Sequence, residues 1–172
     1  MATTGQVNKG GIGAAMPYAG PTVFHTGDAA PTTTTTGTDT TPVITEEYVA
    51  RVFVPMNAKL TGISLLNGSA VSGNVTVILY DSNGGIVANS ASTAQSGTAA
   101  YQQIPFASAY NAKGPANYFV GLQVDNTTAR FRSHILGNFG ASKKTAQTYG
   151  TLTALTPPTT FTTGVGPVAD TY

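Results

Sequence analysis

Short runs in which apolar and polar residues alternate fill the middle of the chain. Turn sequences separate them, such as Asn67-Gly68 and Asp81-Ser82-Asn83-Gly84-Gly85. Alternation with a period of two is typical of strands with one buried face, and such turn residues connect one strand to the next. The predicted strands are Glu47–Val54, Lys59–Leu66, Gly73–Tyr80, Ile86–Ala91, Tyr101–Phe106, Asn117–Val124 and Arg130–Leu136.

These strands, with no run that follows the 3.6-residue period of a helix, indicate an all-β protein built as an antiparallel β-sandwich. A jelly roll is predicted if Thr151–Leu155 or part of the N-terminal segment adds an eighth strand. A partly closed barrel is the competing architecture. Residues that share one face of each strand form the predicted core: Val52, Val54, Ile63, Leu65, Val75, Val77, Leu79, Tyr118, Val120, Leu122, Val124, Phe131 and Ile135.

In the first strand the alternation fails, because residues 49–54 place apolar side chains on both faces. The pattern therefore leaves the register of that strand open.

The two ends of the chain differ from the predicted body, residues 46–136. Residues 1–45 form an arm rich in Gly, Thr and Pro, in which Thr22–Thr45 holds eleven threonines in 24 residues. Residues 137–172 form a similar tail that we expect to be extended, with at most one strand. Such segments bury too little apolar surface to offset the entropy of ordering. They therefore need a surface to hold them, either the protein's own body or a neighbouring subunit, and we favour the neighbouring subunit.

Isolated apolar side chains in these segments are the candidate anchors. On an extended segment, such side chains commonly dock into shallow pockets of a partner surface. The candidate partner-binding residues are Tyr18, Val23 and Phe24 in the arm, and Phe161 and Tyr172 in the tail.

Charge is scarce along the whole chain. Charged residues make up 9% of the sequence, against about 25% in ordinary soluble domains. A surface with so little charge favours association, although a Thr/Ser/Asn coat can also stay hydrated. The formal net charge of +1 gives no electrostatic footprint for nucleic acid or an anionic membrane. Arg130 and Arg132 share one strand face, and Lys143-Lys144 is predicted to be a solvated loop.

The composition excludes several kinds of site. There is no cysteine, which excludes disulfides, thiolate metal sites and cysteine nucleophiles. The N-terminal residues lack the apolar core of a signal peptide, and no run reaches 18 apolar residues. We expect synthesis in a cytoplasm and no membrane span.

Candidate metal sites are few. Asp81-Ser82-Asn83-Gly84-Gly85 resembles the start of a calcium loop, but the twelfth position, where a bidentate Glu is required, is Ser92. A tight hairpin is the preferred interpretation. His25 and His134 have no further ligands at workable spacing, so each is predicted to make hydrogen bonds at a surface or interface.

Catalysis is not indicated either. No Gly-x-Ser-x-Gly elbow is present. Glu46 and Glu47 are adjacent on a strand and point to opposite faces, and Asp81 and Asp125 read as turn residues. We therefore predict a protein that is not an enzyme and has no cofactor and no metal.

Two further features are weaker indications. Asn67, Asn74 and Asn126 match the glycosylation pattern, which is expected by chance in a threonine-rich chain. The tyrosines could stack on sugars, although such sites depend on large aromatic faces and tryptophan is absent. The tyrosines concerned are Tyr101, Tyr110, Tyr118 and Tyr149.

Three segments of the body resemble those of a known class of proteins. They are Arg51-Val-Phe-Val-Pro-Met-Asn-Ala-Lys-Leu-Thr-Gly-Ile-Ser-Leu-Leu-Asn-Gly, Val75-Thr-Val-Ile-Leu-Tyr-Asp-Ser-Asn-Gly-Gly and Asn117-Tyr-Phe-Val-Gly-Leu-Gln-Val-Asp-Asn. With the Thr/Gly-rich ends, they resemble the small β-sandwich structural proteins of tailed-bacteriophage virions, namely head decoration (cement) proteins and fibre modules. The resemblance implies a non-enzymatic protein on the capsid exterior, commonly trimeric.

Two functions follow as expectations. In the first, the protein is a cement that binds itself as a homo-oligomer and binds the major capsid protein or another virion protein through its extended segments. In the second, it is the receptor- or glycan-binding head of a fibre or adhesin. The path of the extended segments separates the two, since a cement spreads them between several chains and an adhesin plugs one into a stalk.

Overall fold

A computed structural model describes residues 24–27, 37–134, 140–157 and 165–172. Within these residues every secondary-structure element is a β-strand, so the predicted all-β class is confirmed. The strands in chain order are β1 (Phe24–His25), β2 (Thr38–Thr40), β3 (Glu47–Val54), β4 (Ala58–Leu66), β5 (Asn74–Tyr80), β6 (Ile86–Asn89), β7 (Thr93–Ala94), β8 (Tyr101–Ala112), β9 (Ala116–Val124), β10 (Phe131–Ser133), β11 (Ala141–Lys144) and β12 (Ala169–Thr171).

Two antiparallel sheets pack against each other as a sandwich. The four-stranded sheet has the order β1-β12-β4-β8, and the six-stranded sheet has the order β11-β3-β9-β5-β6, with β7 also paired to β5. A small third sheet pairs β10 with β2. The jelly-roll topology stays a prediction.

The core between the two main sheets contains the residues that the alternation predicted. Twelve of them are in the structure, and all twelve are buried in one cluster. The thirteenth, Ile135, lies outside the described residues. The structure also adds Phe24, Leu60, Ile104 and Phe106 to this cluster.

Isolated backbone pairs bring the edges of the two main sheets together on both sides. Thr26 pairs with Val52 on one side, and Ser90 pairs with Phe106 on the other. Each pair joins a residue beside one sheet to a strand of the other. The fold is a sandwich, and single backbone pairs join its two main sheets on both sides. This partial closure is the feature that it shares with the competing architecture, a partly closed barrel.

The arm and the tail contribute more strands than the sequence predicted. β1 and β2 fall within residues 1–45, and β11 and β12 fall within residues 137–172. Thr151–Leu155 was wrong as the eighth strand, because this segment has no ladder partner. Lys143 and Lys144 were wrong as a solvated loop, since both lie on β11 opposite Tyr48 and Glu47.

The segment that failed as a strand covers the outer face of the six-stranded sheet. Leu155 packs there with Val49, Ile78 and Phe119, and its amide donates to the carbonyl of Gly84 at 2.9 Å. This cover explains why residues 49–54 are apolar on both faces. One face of β3 points into the core, and part of the other face lies under the tail.

Strand β8 is twice as long as predicted and ends at Ala112. Its register against β4 shifts between Leu60 and Gly62, where Tyr110 and Pro105 are the respective partners. Residues 107–109 lie between the two registers and are exposed, so the alternation in the sequence is interrupted there. A proline and a bulge are common means of keeping an edge strand from pairing with another chain.

Candidate functional site

The loops lie at two ends of the sandwich, and these ends differ in chemistry. We call the turns 55–57, 81–85 and 113–115 the hairpin end, because each of these short turns joins consecutive strands. We call the loops 67–73, 91–100 and 125–130 the network end. The pairing of Tyr80 with Phe119 and of Val75 with Val124 fixes which loops share an end.

At the network end, buried amide side chains hold three loops together. Asn67, which is fully buried, donates from Nδ2 to the carbonyl of Ser96 at 2.6 Å and to Gln102 Oε1 at 3.1 Å. Gln95 Nε2 donates to Asn67 Oδ1 at 2.9 Å and lies 2.8 Å from the carbonyl of Arg130. A buried network with its members satisfied makes a region rigid.

A buried carboxylate stands where the tail crosses the sheet on the network-end side. Glu47 is fully buried. Its oxygens accept from Tyr80 Oη at 2.6 Å and Gln123 Nε2 at 3.0 Å, and Lys144 Nζ lies 3.6 Å away. Lys144 also donates to the carbonyl of Thr153 at 3.0 Å, which ties the tail to the cluster.

This cluster is structural. Burial, with the Glu47 carboxylate beside it, raises the pKa of the Tyr80 hydroxyl, which therefore stays a donor. A buried carboxylate needs such partners, because an unpaired charge in the interior is very costly. The cluster was missed in the sequence, where Glu47 was considered only with Glu46, as two adjacent acids that point to opposite faces of a strand.

At the hairpin end two turns are fixed against each other. A Cβ on Gly114 would come within 2.5 Å of the backbone of Met56, so only glycine allows this approach. The Gly114 amide donates to Asn57 Oδ1 at 3.0 Å. Tyr118 Oη accepts from the Lys113 amide at 2.9 Å and lies 3.0 Å from its carbonyl. This end is therefore preformed.

The 81–85 turn also belongs to the hairpin end and is the tight hairpin that the sequence favoured over a calcium loop. Asp81 Oδ1 accepts from the amides of Asn83 and Gly85, both at 2.9 Å. Gly84 has φ of 83°, the left-handed region that glycine adopts freely. The carboxylate of Asp81 thus serves its own turn.

A shallow groove of about 350 Å³ opens between β4 and β8 at the hairpin end. Its lining residues are Asn57, Ala58, Lys59, Asn111, Ala112 and Lys113. Lys59 and Asn111 face each other across the ladder. Among the described residues, no carboxylate lies within 4.0 Å of the ammonium group of Lys59 or Lys113.

Large apolar side chains are exposed at both ends. At the hairpin end Phe53 is 52% exposed and Met56 is 44% exposed. At the network end Val43 and Ile44 are each 46% exposed. Exposed apolar area alone therefore does not distinguish the two ends, whereas the unpaired lysines do.

Both histidines of the chain converge on the short strand β1. His25 Nδ1 is hydrogen-bonded to Asp170 of β12. Thr26, which is fully buried, donates to the carbonyl of Pro167 at 2.8 Å, and its hydroxyl lies 2.9 Å from His134 Nε2. The Ala169 amide donates to the same hydroxyl at 3.0 Å. These bonds anchor the point at which the arm joins the body.

The candidate anchor residues have different outcomes. Phe24 is buried in the chain's own core with 7% exposure, so the prediction that it packs against another chain was wrong. The ring of Tyr172 lies over Gly62, and its backbone pairs with that residue. Tyr18, Val23 and Phe161 lie outside the described residues.

The tyrosines considered for sugar binding have structural contacts. Tyr110 and Tyr118 pack edge to face at 6.1 Å, and Tyr149 Oη is bonded to Ser92 Oγ at 2.8 Å. Tyr101 is 36% exposed on the outer face of the four-stranded sheet. Burial raises the pKa of the Tyr110 hydroxyl to about 12.

In the described part of the chain, no group of three or more His, Cys, Asp or Glu side chains is placed to hold a metal ion. The same residues include no helix long and apolar enough to cross a membrane.

The residues of the hairpin-end groove were not singled out in the sequence. Lys59 and Lys113 are more than fifty positions apart, and only the β4–β8 pairing brings them to one groove. The sequence contained one indication of the hairpin end, namely Phe53, which is an apolar residue on the outer face of β3. No protein-family model matches this chain, and no curated protein matches it.

Proposed function

We propose that this chain is a non-enzymatic structural protein of a virus particle, a decoration (cement) protein that stabilises the head. The observation that supports this best is the orientation of β1. Phe24 pairs with Thr171, and Thr171 pairs with Ile63 of β4. These antiparallel pairings direct the N-terminal end of β1 toward the start of β4, which is the hairpin end. The N-terminal end of β1 therefore faces the hairpin end.

Such a protein acts by linkage. Residues 1–23 precede β1 and, fully extended at about 3.3 Å per residue, could reach roughly 75 Å. A ligand that binds the assembled shell and not its separate subunits shifts the equilibrium toward the shell. Several contacts from one copy, and several copies in a homo-oligomer, add to this hold. We propose a homotrimer on the capsid exterior, in keeping with the resemblance.

The hydrogen bonding of the body fits this role. Its buried polar side chains bind loops, strands and the tail to one another, as the Asn67 and Glu47 clusters do. A rigid body with one open, preformed end can bind without a large ordering cost. Partner contact would then come from the hairpin end and the arm.

The test compares virus particles with and without this protein under heating. If the protein is a cement, particles that lack it lose their contents at a lower temperature, and adding the purified protein restores the original temperature. Particles of unchanged heat stability that no longer attach to host cells would contradict the proposal.

That second result would favour a receptor- or glycan-binding module. One observation supports this alternative: the row His25, Asp170, Ser64 and Gln103 crosses the outer face of the four-stranded sheet by direct strand pairing. The exposed ring of Tyr101 lies two residues further along β8. A flat face with hydrogen-bonding groups beside an aromatic ring can bind a sugar.

A further inference from the structure

We propose that the groove at the hairpin end binds an acidic segment of a neighbouring protein through Lys59 and Lys113. This inference rests on the proposed function, because it names the chemistry of the surface to which the cement attaches. It adds a site and a class of ligand that the resemblance does not supply.

The shape and lining of the groove are the first support. Lys59 lies on β4, Lys113 follows β8, and the amide side chains of Asn57 and Asn111 stand beside them. Ammonium and amide groups all offer hydrogen-bond donors to a carboxylate. Ala58 and Ala112 also line the groove, and both pack toward the core.

The distribution of charge is the second support. Each acidic residue in the described part of the chain is bonded within the fold. Asp39 binds Ser69, Glu46 binds Lys143, Glu47 binds Tyr80, Asp81 binds its own turn, Asp125 binds Asn74 and Asp170 binds His25. Lys59 and Lys113 are thus left without an acid in the same part of the chain, although they stand at one groove. Charge of one sign attracts and orients a partner of the other sign.

Asp81 is the acid to weigh against this, since it also lies at the hairpin end. Burial, Tyr118 and, least of all, Asp81 raise the pKa of Tyr110. Asp81 Oδ1 accepts two amide hydrogens of the 81–85 turn. It is therefore held in its own turn, and it is not among the described residues that line the groove.

The surroundings favour a protein segment over a sulfated sugar. Among the residues that the structure describes, no aromatic ring lines the groove to stack on a sugar. The exposed Met56 lies in the 55–57 turn, and its backbone packs on Gly114. Methionine is a flexible side chain that suits contact with varied apolar side chains. A protein segment in which an acidic residue is flanked by apolar ones matches both the groove lysines and the exposed Met56.

The experiment uses the purified full chain and a hexaglutamate peptide, with amide chemical shifts as the readout. At low salt we expect shifts centred on residues 57–59 and 111–113. The double variant Lys59→Gln/Lys113→Gln should weaken binding roughly tenfold, since two exposed charge pairs are lost. Raising the salt to about 0.3 M should weaken binding of the natural chain, because exposed charges are screened.

Three controls make the result specific. Lys143→Gln removes one charge at β11 and should leave peptide binding unchanged. A hexaglutamine peptide should give no shifts. The amide spectrum shows directly that each variant is folded, and the single variants Lys59→Gln and Lys113→Gln serve if the double variant is not.

Absence of shifts at the groove, or shifts that persist in the lysine variants, would overturn the inference. A heparin fragment that bound the same residues more tightly than the peptide would also overturn it and assign the groove to a sulfated glycan. None of these results bears on whether the protein stabilises particles, which the heating comparison measures separately.

Discussion

The two ends of the sandwich use the same polar residue types for opposite purposes. At the network end, the amide groups of Asn67 and Gln95 form hydrogen bonds with each other and with the loops around them. At the hairpin end, Asn111 and two lysines line an open groove. A polar side chain that is satisfied inside the fold stabilises it, whereas one left open is available for a partner. The end of the molecule with the less internal bonding is therefore the candidate for binding.

The largest expected effect lies at the buried carboxylate beside the network end. Glu47→Ala removes the carboxylate that accepts from Tyr80 and Gln123, and it leaves Lys144 without its counter-charge. We expect the free energy of unfolding to fall by about 3–5 kcal/mol, as when one member of a buried pair is removed. Urea denaturation measures this.

Lys143→Gln is the matched control, because it breaks a pair whose lysine is 38% exposed. Its expected cost is about 0–1 kcal/mol. Equal losses for the two variants would show that the Glu47 cluster does not hold the tail as described.

The same substitution at the two ends gives the next largest difference. Asn67→Ala removes a buried amide together with its hydrogen bonds to Gln95 and to the carbonyl of Ser96, at a cost of about 1–3 kcal/mol. Asn111→Ala at the groove should change stability by no more than about 0.5 kcal/mol, since Asn111 is exposed. Thermal unfolding of the two variants decides the point. A larger loss for Asn111→Ala would reverse the comparison between the ends.

A smaller, pH-dependent effect is expected where β1 is anchored. Burial lowers the pKa of His134 below its ordinary value of 6.5. The unfolded chain therefore takes up this proton first, and stability is lost as the pH falls below about 6.5. Burial also raises the pKa of Asp170 against the effect of His25, which acts in the opposite sense.

His134→Gln isolates the contribution of the first group. The natural chain should lose more stability than this variant between pH 7.5 and pH 5.5 in denaturant titrations. An identical change in both chains would mean that His134 does not contribute to the anchoring of β1.

The core could be predicted because a strand with one buried face shows apolar and polar residues in alternation along the sequence. Val75 and Val77 alternate with the polar residues Asn74 and Thr76, and the turn at Asp81 marks where the strand ends. The first strand shows what the pattern lacks. Apolar residues on both faces of β3 indicated that both faces are in contact with other residues. The local sequence did not show that Leu155 would cover one of these faces.

The functional contacts were harder to predict because they depend on distant pairing. Glu47, Gln123 and Lys144 come from three strands, and each looks like an ordinary surface residue in the sequence. Phe24 was assigned to a partner because the arm around it has little apolar surface. In the fold, two residues of β-pairing with β12 are enough to bring it into the core.

The smallest change in stability is expected for the variants that test the proposed binding end most directly. Phe53→Ser/Met56→Ser changes two exposed residues at the hairpin end, and Val43→Ser/Ile44→Ser does the same at the network end. Both variants should unfold within about 1 kcal/mol of the natural chain, because these side chains are half exposed.

The decisive measurement is the number of copies of each variant that bind to virus particles stripped of this protein. We expect Phe53→Ser/Met56→Ser to bind at a small fraction of the natural occupancy, while Val43→Ser/Ile44→Ser binds normally. Full occupancy of the first variant, with loss of binding for the second, would contradict the central claim that the hairpin end faces the particle.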